Sequence, residues 1–150
     1  GATVFTLSFG PHLAFVGLSL VSLGIVLNGG GDLFALAANA SLTAGVGVLV
    51  SGGIQSLVAR FLPRHFFVYL FANGFFGAAL TILGVGLAAS ALLTLAGAYE
   101  WEYLAGEYLP YFLLLGFSEA WLSGMLMTLF VVYRPQWVST FDDSIYLANK

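Results

Sequence analysis

Long apolar runs separated by short polar segments divide this chain into stretches that are each long enough to cross a lipid bilayer. A bilayer core is about 30 Å thick and a helix rises about 1.5 Å per residue, so one crossing needs roughly 20 apolar residues. The pattern predicts an all-α integral membrane protein, a bundle of about four transmembrane helices. The predicted spans cover residues 11–27, 33–59, 66–97 and 108–133, and a short tail covers 134–150.

Proline and glycine mark the boundaries of these spans. Gly10-Pro11 interrupts the first apolar run and separates a partial fifth helix at residues 1–9 from a span that begins at Pro11, because proline suits the first helical position. The polar cluster 28–32 predicts a turn between two antiparallel spans. Arg134-Pro135 ends the fourth span. Without internal repeats or low-complexity linkers, the chain is interpreted as a single transmembrane domain.

The few basic residues predict the orientation of the bundle. Arg60 and Arg64 lie between the second and third spans, and Arg134 directly follows the fourth. By the positive-inside rule these segments are cytoplasmic, which predicts that both ends of this sequence are cytoplasmic as well. The opposite surface then carries most of the acidic residues: Asp32, Glu100, Glu102 and Glu107.

The overall composition supports a membrane location and excludes several other classes of protein. Hydrophobic residues make up 60% of the chain and charged residues only 7%, whereas soluble domains average about 25% charged residues. We therefore expect a multi-pass cell-membrane protein whose main partner is lipid. No cluster of Lys and Arg could grip phosphates, so nucleic acid is not an expected partner. The sequence contains no cysteine, which excludes disulfides and thiolate metal sites.

Glu119 is the first candidate for a functional residue because it is the single charge inside the fourth predicted span. A carboxylate in a spanning helix costs about 2.5–3.5 kcal/mol on insertion scales unless it faces protein or water. Ser118 and Ser123 lie next to it along the chain and one turn away. Two interpretations are open: a protonated carboxyl bonded to a neighbouring helix, or a group on a transport path.

Three further polar residues are candidates for the same path: Asn39, Asn73 and His12. An amide in an apolar span needs partners on neighbouring helices, so helix contacts are favoured for both asparagines. His12 lies beside the break between two apolar segments and could line a cavity. Neither histidine has a second His, Cys or acid at helical metal-site spacing, so metal ligands are unknown and no bound cofactor is predicted. The sequence contains no nucleophile–base pair or Walker loop, so an enzyme is not predicted.

Two other patterns each have two interpretations. Rows of small residues at helical spacing, such as Gly116 with Ala120 and Gly124, predict close helix packing or a sliding surface for a partner subunit. The tail segment 140–143 resembles a capping box with Asp in the last place and predicts a short cytoplasmic helix. That helix would lie on lipid headgroups through its aromatic residues or dock on a partner.

Several of these stretches together resemble the CbiM/NikM type of substrate-specific membrane subunit found in cobalt and nickel energy-coupling-factor (ECF) ABC transporters. The similarity lies in short motifs and their spacing and extends over most of the chain. The motifs are Phe9-Gly10-Pro11, the stretch NGGGDLFALAAN from Asn28 to Asn39, and Leu109-Pro110 followed by Glu119, Gly124 and Arg134-Pro135.

This resemblance implies a permease component that takes up cobalt or nickel and works with a membrane coupling subunit and cytoplasmic ATPases. The family binds metal through an N-terminal Met-His pair and a histidine ahead of the Phe-Gly-Pro motif, and neither occurs in this sequence. Either those ligands lie upstream of Gly1 or metal is bound differently, so no metal ligand is assigned. The alternative function is a non-transporting structural or assembly subunit of a larger membrane complex.

Overall fold

Four long helices form the molecule, and the computed structural model describes residues 1–147. These helices are long and apolar enough to cross a membrane, and no strand occurs among the described residues, which confirms the predicted all-α bundle. A 3₁₀ turn at Pro135–Trp137 and a short helix α5 (Asp143–Tyr146) follow them. The four long helices are α1 (Ala2–Leu27), α2 (Leu33–Phe61), α3 (Phe66–Leu95) and α4 (Trp101–Tyr133).

Two helix boundaries differ from the sequence prediction. Helix α3 ends at Leu95, and α4 begins at Trp101 instead of near residue 108. The acidic residues between them suggested a loop, but Glu102 lies in the first turn of α4. A carboxylate there interacts favourably with the positive end of the helix dipole, so this polar segment is helical.

Helix α1 reverses direction at Gly10. Gly10 has φ 79° and ψ 166°, a conformation open essentially to glycine alone. A methyl group on Gly17 would lie 2.9 Å from the ring of Phe5, although a straight helix would separate these residues by about 18 Å along its axis. The short arm (residues 2–9) therefore folds back against the long arm (residues 11–27). The short arm corresponds to the predicted partial helix.

Small residues bring the helices into close contact inside the chain. A methyl group on Gly74 of α3 would lie 3.4 Å from Met127 Cβ and 3.7 Å from Gly124 Cα of α4. One on Gly116 would lie 3.4 Å from the carbonyl oxygen of Ala79. Gly116, Gly124 and Ala120 are all buried within this chain, so this row forms an internal helix contact and not a surface for a partner subunit.

Three of the long helices contain a π-helical segment. These widened turns cover Ala40–Val46 in α2, Tyr69–Phe76 in α3 and Leu104–Tyr108 in α4. Such turns change which side chains face the bundle interior, and they occur frequently at functional sites. Asn39 directly precedes the first segment, Asn73 lies within the second and Tyr108 ends the third.

The tail packs on the bundle beside the Gly10 reversal. Val138, Phe141 and Tyr146 are buried in one cluster with Leu7 and Tyr69. The backbone N–H groups of Ser139 and Thr140 donate to the carbonyls of Ser8 and Leu7, at 2.9 and 3.3 Å. In a continuous helix the Leu7 carbonyl would need the N–H of residue 11, which is proline and has none, so the tail supplies the missing donors.

This arrangement corrects two expectations about the tail. The short helix exists, but its N-cap is Asp142, whose carboxylate accepts from the backbone N–H of Ser144 at 2.8 Å, and not Thr140. Thr140 instead donates from Oγ1 to the Leu7 carbonyl at 2.8 Å. Phe141 and Tyr146 are buried against this chain's own Tyr69, so they are not on a lipid or partner surface.

The two ends of the bundle differ in charge. The arginine end carries Arg60, Arg64 and Arg134 together with the tail, and the glutamate end carries Asp32, Glu100, Glu102 and Glu107. Gly1 lies at neither end, because its backbone nitrogen contacts the carboxylate of Glu119 near the middle of α4. The expectation that residue 1 lies on the same surface as the tail is therefore wrong.

Candidate functional site

A cavity of about 290 Å³ opens between the start of α1 and the middle of the other three long helices. It brings together two of the predicted path residues, Asn39 from α2 and Glu119 from α4, which are 80 positions apart in the sequence. Its polar lining also includes Thr43 of α2 and Thr81 of α3. Apolar side chains, among them Leu42, Ile82, Val85 and Phe112, complete the wall.

Glu119 supplies a carboxyl group to the lining of this cavity. Its side chain is 18% exposed, and Oε1 accepts a hydrogen bond from Ser123 Oγ at 3.1 Å. The backbone nitrogen of Gly1 also donates to Oε1. The carboxyl group therefore bonds to its own helix and to the short arm of α1, and it also lines an open cavity. The choice between a packing role and a transport path for Glu119 stays a prediction.

The two threonines add hydroxyl oxygens to the lining. Thr81 Oγ1 donates its hydrogen to the Gly77 carbonyl at 2.7 Å, one turn earlier in α3. The remaining lone pairs of Thr81 Oγ1 can accept a hydrogen bond, but the group has no second hydrogen to donate. Such an oxygen can contact a cation or a water molecule bound to a cation. Thr43 lies within the π-helical segment Ala40–Val46, one turn after Asn39. This widened turn places an amide and a hydroxyl of α2 on the same cavity.

Phe112 reaches the cavity because α3 has no side chain at Gly86. A methyl group on Gly86 would lie 2.5 Å from Cγ of the Phe112 ring, which is closer than any real contact. The Phe112 ring also meets Tyr108 edge to face, with ring centroids 5.1 Å apart. Gly86 therefore leaves room for an aromatic cavity wall.

Asn73 does not line this cavity. It is 2% exposed in the π-helical segment Tyr69–Phe76, and neither its Oδ1 nor its Nδ2 has a hydrogen-bond partner among the described residues. The predicted helix contact through its amide is therefore not formed. Thr81 follows Asn73 by two turns on α3, so Asn73 lies on the arginine-end side of the cavity. An unpaired buried amide is costly, which makes Asn73 a candidate for contact with a polar solute or water.

His12 is exposed beside the Gly10 reversal and does not line the cavity. Within residues 1–147 no group of three or more His, Asp or Glu side chains lies close enough to hold a metal ion. The cavity residues that carry a hydroxyl group, Thr43, Thr81 and Tyr108, were not predicted as site residues from the sequence. Thr43 and Tyr108 lie in π-helical segments, where regular helical periodicity does not predict which way a side chain faces.

Comparison with protein families decides the identity of this bundle. The model of the CbiM family, described as the cobalt uptake substrate-specific transmembrane region, matches residues 1–137. The chain belongs to the CbiM family. The resemblance drawn from the short motifs is thereby confirmed, and the CbiM chain is a substrate-specific membrane component of cobalt uptake.

The match covers the four long helices and the 3₁₀ turn of this CbiM chain. CbiM is a family of transporter components and not of enzymes, and its role in uptake implies partner subunits in the membrane. A search of curated proteins and a search of solved structures each found no match.

Proposed function

We propose that this CbiM chain is the substrate-specific subunit of an ECF-type ABC transporter and passes Co²⁺ or Ni²⁺ through the Glu119 cavity. The observation that supports this most directly is the convergence of Asn39 and Glu119, from separate helices, on one cavity at the middle of the bundle. An ionisable group inside a membrane bundle marks a substrate or ion path more often than it serves packing alone.

The size and chemistry of the cavity suit a hydrated divalent ion. Six water molecules at roughly 30 Å³ each occupy about 180 Å³, which the volume of about 290 Å³ can hold. Glu119 offers negative charge, and Asn39 and Thr81 offer oxygen atoms that can accept from metal-bound water. Oxygen donors hold cobalt and nickel less tightly than imidazole does. Weak binding is useful on a path because the ion must also leave.

The proposal extends to partners and orientation. Within these 150 residues there is no phosphate-binding Walker loop, so we propose that a membrane coupling subunit and cytoplasmic ATPases supply the energy. The positive-inside rule favours a cytoplasmic arginine end, which directs the glutamate end toward the source of the metal. Lipid surrounds the remaining surface, where many large apolar side chains are exposed.

Uptake of radioactive Co²⁺ and Ni²⁺ by cells carrying the complete transporter tests the proposal. Replacing Glu119 by Gln keeps the shape and the oxygen that accepts from Ser123, but it removes the negative charge. We expect at least a tenfold loss of uptake. Glu102→Gln is the matched control, because Glu102 is exposed at the glutamate end and does not line the cavity, and its uptake should remain normal.

The same cells distinguish the alternative of a structural or assembly subunit. Affinity purification of the Glu119→Gln protein from native membranes shows whether its partner subunits remain bound. Intact assembly with lost uptake supports the path through Glu119. Intact assembly with normal uptake of both metals contradicts it and favours the structural role.

A further inference from the structure

A second cavity, of about 260 Å³, lies at the glutamate end of the bundle. Seven residues of α3, α4 and the segment between them line it, and four of these are tyrosines: Leu93, Tyr99, Tyr103, Leu104, Glu107, Tyr108 and Tyr111. We call it the tyrosine vestibule. The rings of Tyr99 and Tyr103 stack, with centroids 5.7 Å apart and planes 15° from parallel.

The tyrosine vestibule and the Glu119 cavity share one wall. Tyr108 lines both of them, and it is the residue at which the π-helical segment Leu104–Tyr108 ends. Tyr108 is therefore the residue at which the linings of the two cavities meet. Phe112, one turn further along α4, meets the Tyr108 ring edge to face and lines the inner cavity only.

One face of α3 runs continuously past both cavities. Thr81, Val85 and Ala89 line the inner cavity, and Leu93 lines the vestibule. These residues follow one another at intervals of four, which is about 6 Å of helix rise per step. The two cavities therefore follow one another along the same face of α3, and they do not open on unrelated faces of the bundle.

The surroundings of the vestibule favour a cation. The four acidic residues of the glutamate end include Glu107 in the vestibule wall itself, and the arginines are all at the opposite end. A cleft lined by one sign of charge raises the local concentration of counter-ions. The faces of tyrosine rings also attract cations.

From this geometry we propose that the tyrosine vestibule is the entrance for a hydrated divalent cation and that the Tyr108 ring is the barrier between the entrance and the Glu119 cavity. The proposal rests on the proposed function for the direction of ion movement. The barrier itself concerns only access to the inner cavity, so it can be tested without transport.

The absence of cysteine in this sequence makes a direct accessibility test available. Ala89 is buried at the wall of the inner cavity, so Ala89→Cys places a thiol there. This substitution changes the side-chain volume only a little. Leu93→Cys places one in the vestibule. Intact cells carrying the complete transporter are treated with methanethiosulfonate ethyltrimethylammonium, a cationic reagent that does not cross membranes. Labelling of this subunit is measured by mass spectrometry.

We expect rapid labelling at Leu93→Cys and slow labelling at Ala89→Cys when Tyr108 is present. Combining Ala89→Cys with Tyr108→Ala should raise the labelling rate at least tenfold, whereas Tyr108→Phe should keep it slow. Tyr111→Ala is the matched control, since Tyr111 lines the vestibule but not the inner cavity, and it should leave the Ala89→Cys rate nearly unchanged.

Equal rates at Ala89→Cys with and without the Tyr108 ring would overturn the barrier. Labelling of Leu93→Cys only in inside-out vesicles would overturn the vestibule as the external entrance. These outcomes are distinct from failure of the proposed function, which would show as normal metal uptake in Glu119→Gln. Should Tyr108→Ala not accumulate in the membrane, Tyr108→Leu removes the aromatic ring at a size closer to the original and must give the same increase.

Discussion

The two halves of this CbiM chain are built differently. At the arginine end the tail, the short arm of α1 and the start of α3 meet in a cluster with buried aromatic side chains and backbone hydrogen bonds between distant segments. The Glu119 cavity lies in the middle, lined by all four long helices, and the cavity at the glutamate end is lined by α3, α4 and the segment between them. At the arginine end contacts between distant segments hold the short arm of α1 and the tail together. The cavity with polar groups from three long helices lies in the middle of the bundle.

Polar groups have different hydrogen-bond partners at the arginine end and in the Glu119 cavity. At the arginine end Thr140 donates to the Leu7 carbonyl, so the hydroxyl of Tyr69, 2.6 Å away, must donate to Thr140 Oγ1. Each hydrogen in that chain has an acceptor within the protein. In the Glu119 cavity the bonds from Ser123 and Gly1 both go to Oε1.

The largest expected effect comes from disturbing the reversal at Gly10, which places the short arm of α1 in the buried cluster at the arginine end. Gly10→Ala places a side chain at φ 79° and ψ 166°, which should cost roughly 3 kcal/mol of stability. Thermal unfolding of the purified protein in detergent measures this loss. The control is Gly53→Ala, where a methyl group meets nothing within 4 Å and stability should hold. Equal unfolding temperatures for the two variants would contradict the strained reversal.

A second change tests the wall of the Glu119 cavity. Gly86→Ala forces the Phe112 ring to move, and overpacking of this kind costs roughly 2 kcal/mol. Because Phe112 is a cavity wall, metal uptake should fall by more than the loss of folded protein explains. Uptake per amount of folded protein is the measurement, with Gly24→Ala, which meets no atom within 4 Å, as the control. Unchanged uptake would show that the ring does not shape the path.

A third change tests the hydrogen bonds of the tail. Thr140→Val removes the donor to the Leu7 carbonyl and the acceptor for Tyr69, and each such bond contributes about 0.5–1.5 kcal/mol. Tyr69→Phe removes one of the same bonds. A double-mutant cycle on thermal stability should therefore show that the two losses are not additive. Strict additivity would mean that the two side chains act independently.

The smallest expected effect is a dependence of tail docking on pH. Partial burial raises the pKa of Tyr146 above its usual value near 10, and Arg64 opposes this shift. The folded state holds this proton more tightly, so the contribution to stability is complete below pH 10 and falls as the pH rises beyond it. Proteolysis of the tail should accelerate above pH 10 in the native protein. In Tyr146→Phe this dependence should be absent, and an equal acceleration there would assign it to another group.

The sequence predicted the bundle well because the length of an apolar run limits what a segment can do in a membrane. It also located the break at Gly10, since glycine followed by proline cannot continue a helix without interruption. It could not predict that the chain reverses there, because that depends on contacts of Phe5 with Gly17 and of the tail with Leu7. The tail was wrongly placed for the same reason: its partners are 133 positions away.

The candidate site was predictable only in part. Glu119 and Asn39 stood out because polar groups in apolar spans are rare, and the structure brings both to one cavity. Asn73 and His12 had the same signal but lie elsewhere. The π-helical turns and the reversal of α1 change which helix faces point into the bundle. A regular period of 3.6 residues does not predict these changes.

The most direct measurement is the position of the ion itself. Anomalous X-ray scattering at the cobalt edge, from crystals of the native protein grown with Co²⁺, locates the metal independently of uptake. We predict a peak in the cavity between Asn39 and Glu119, and a loss of that peak in Glu119→Gln. A strong peak outside this cavity, for example at His12, with none near Glu119 would show that the ion does not bind in the Glu119 cavity.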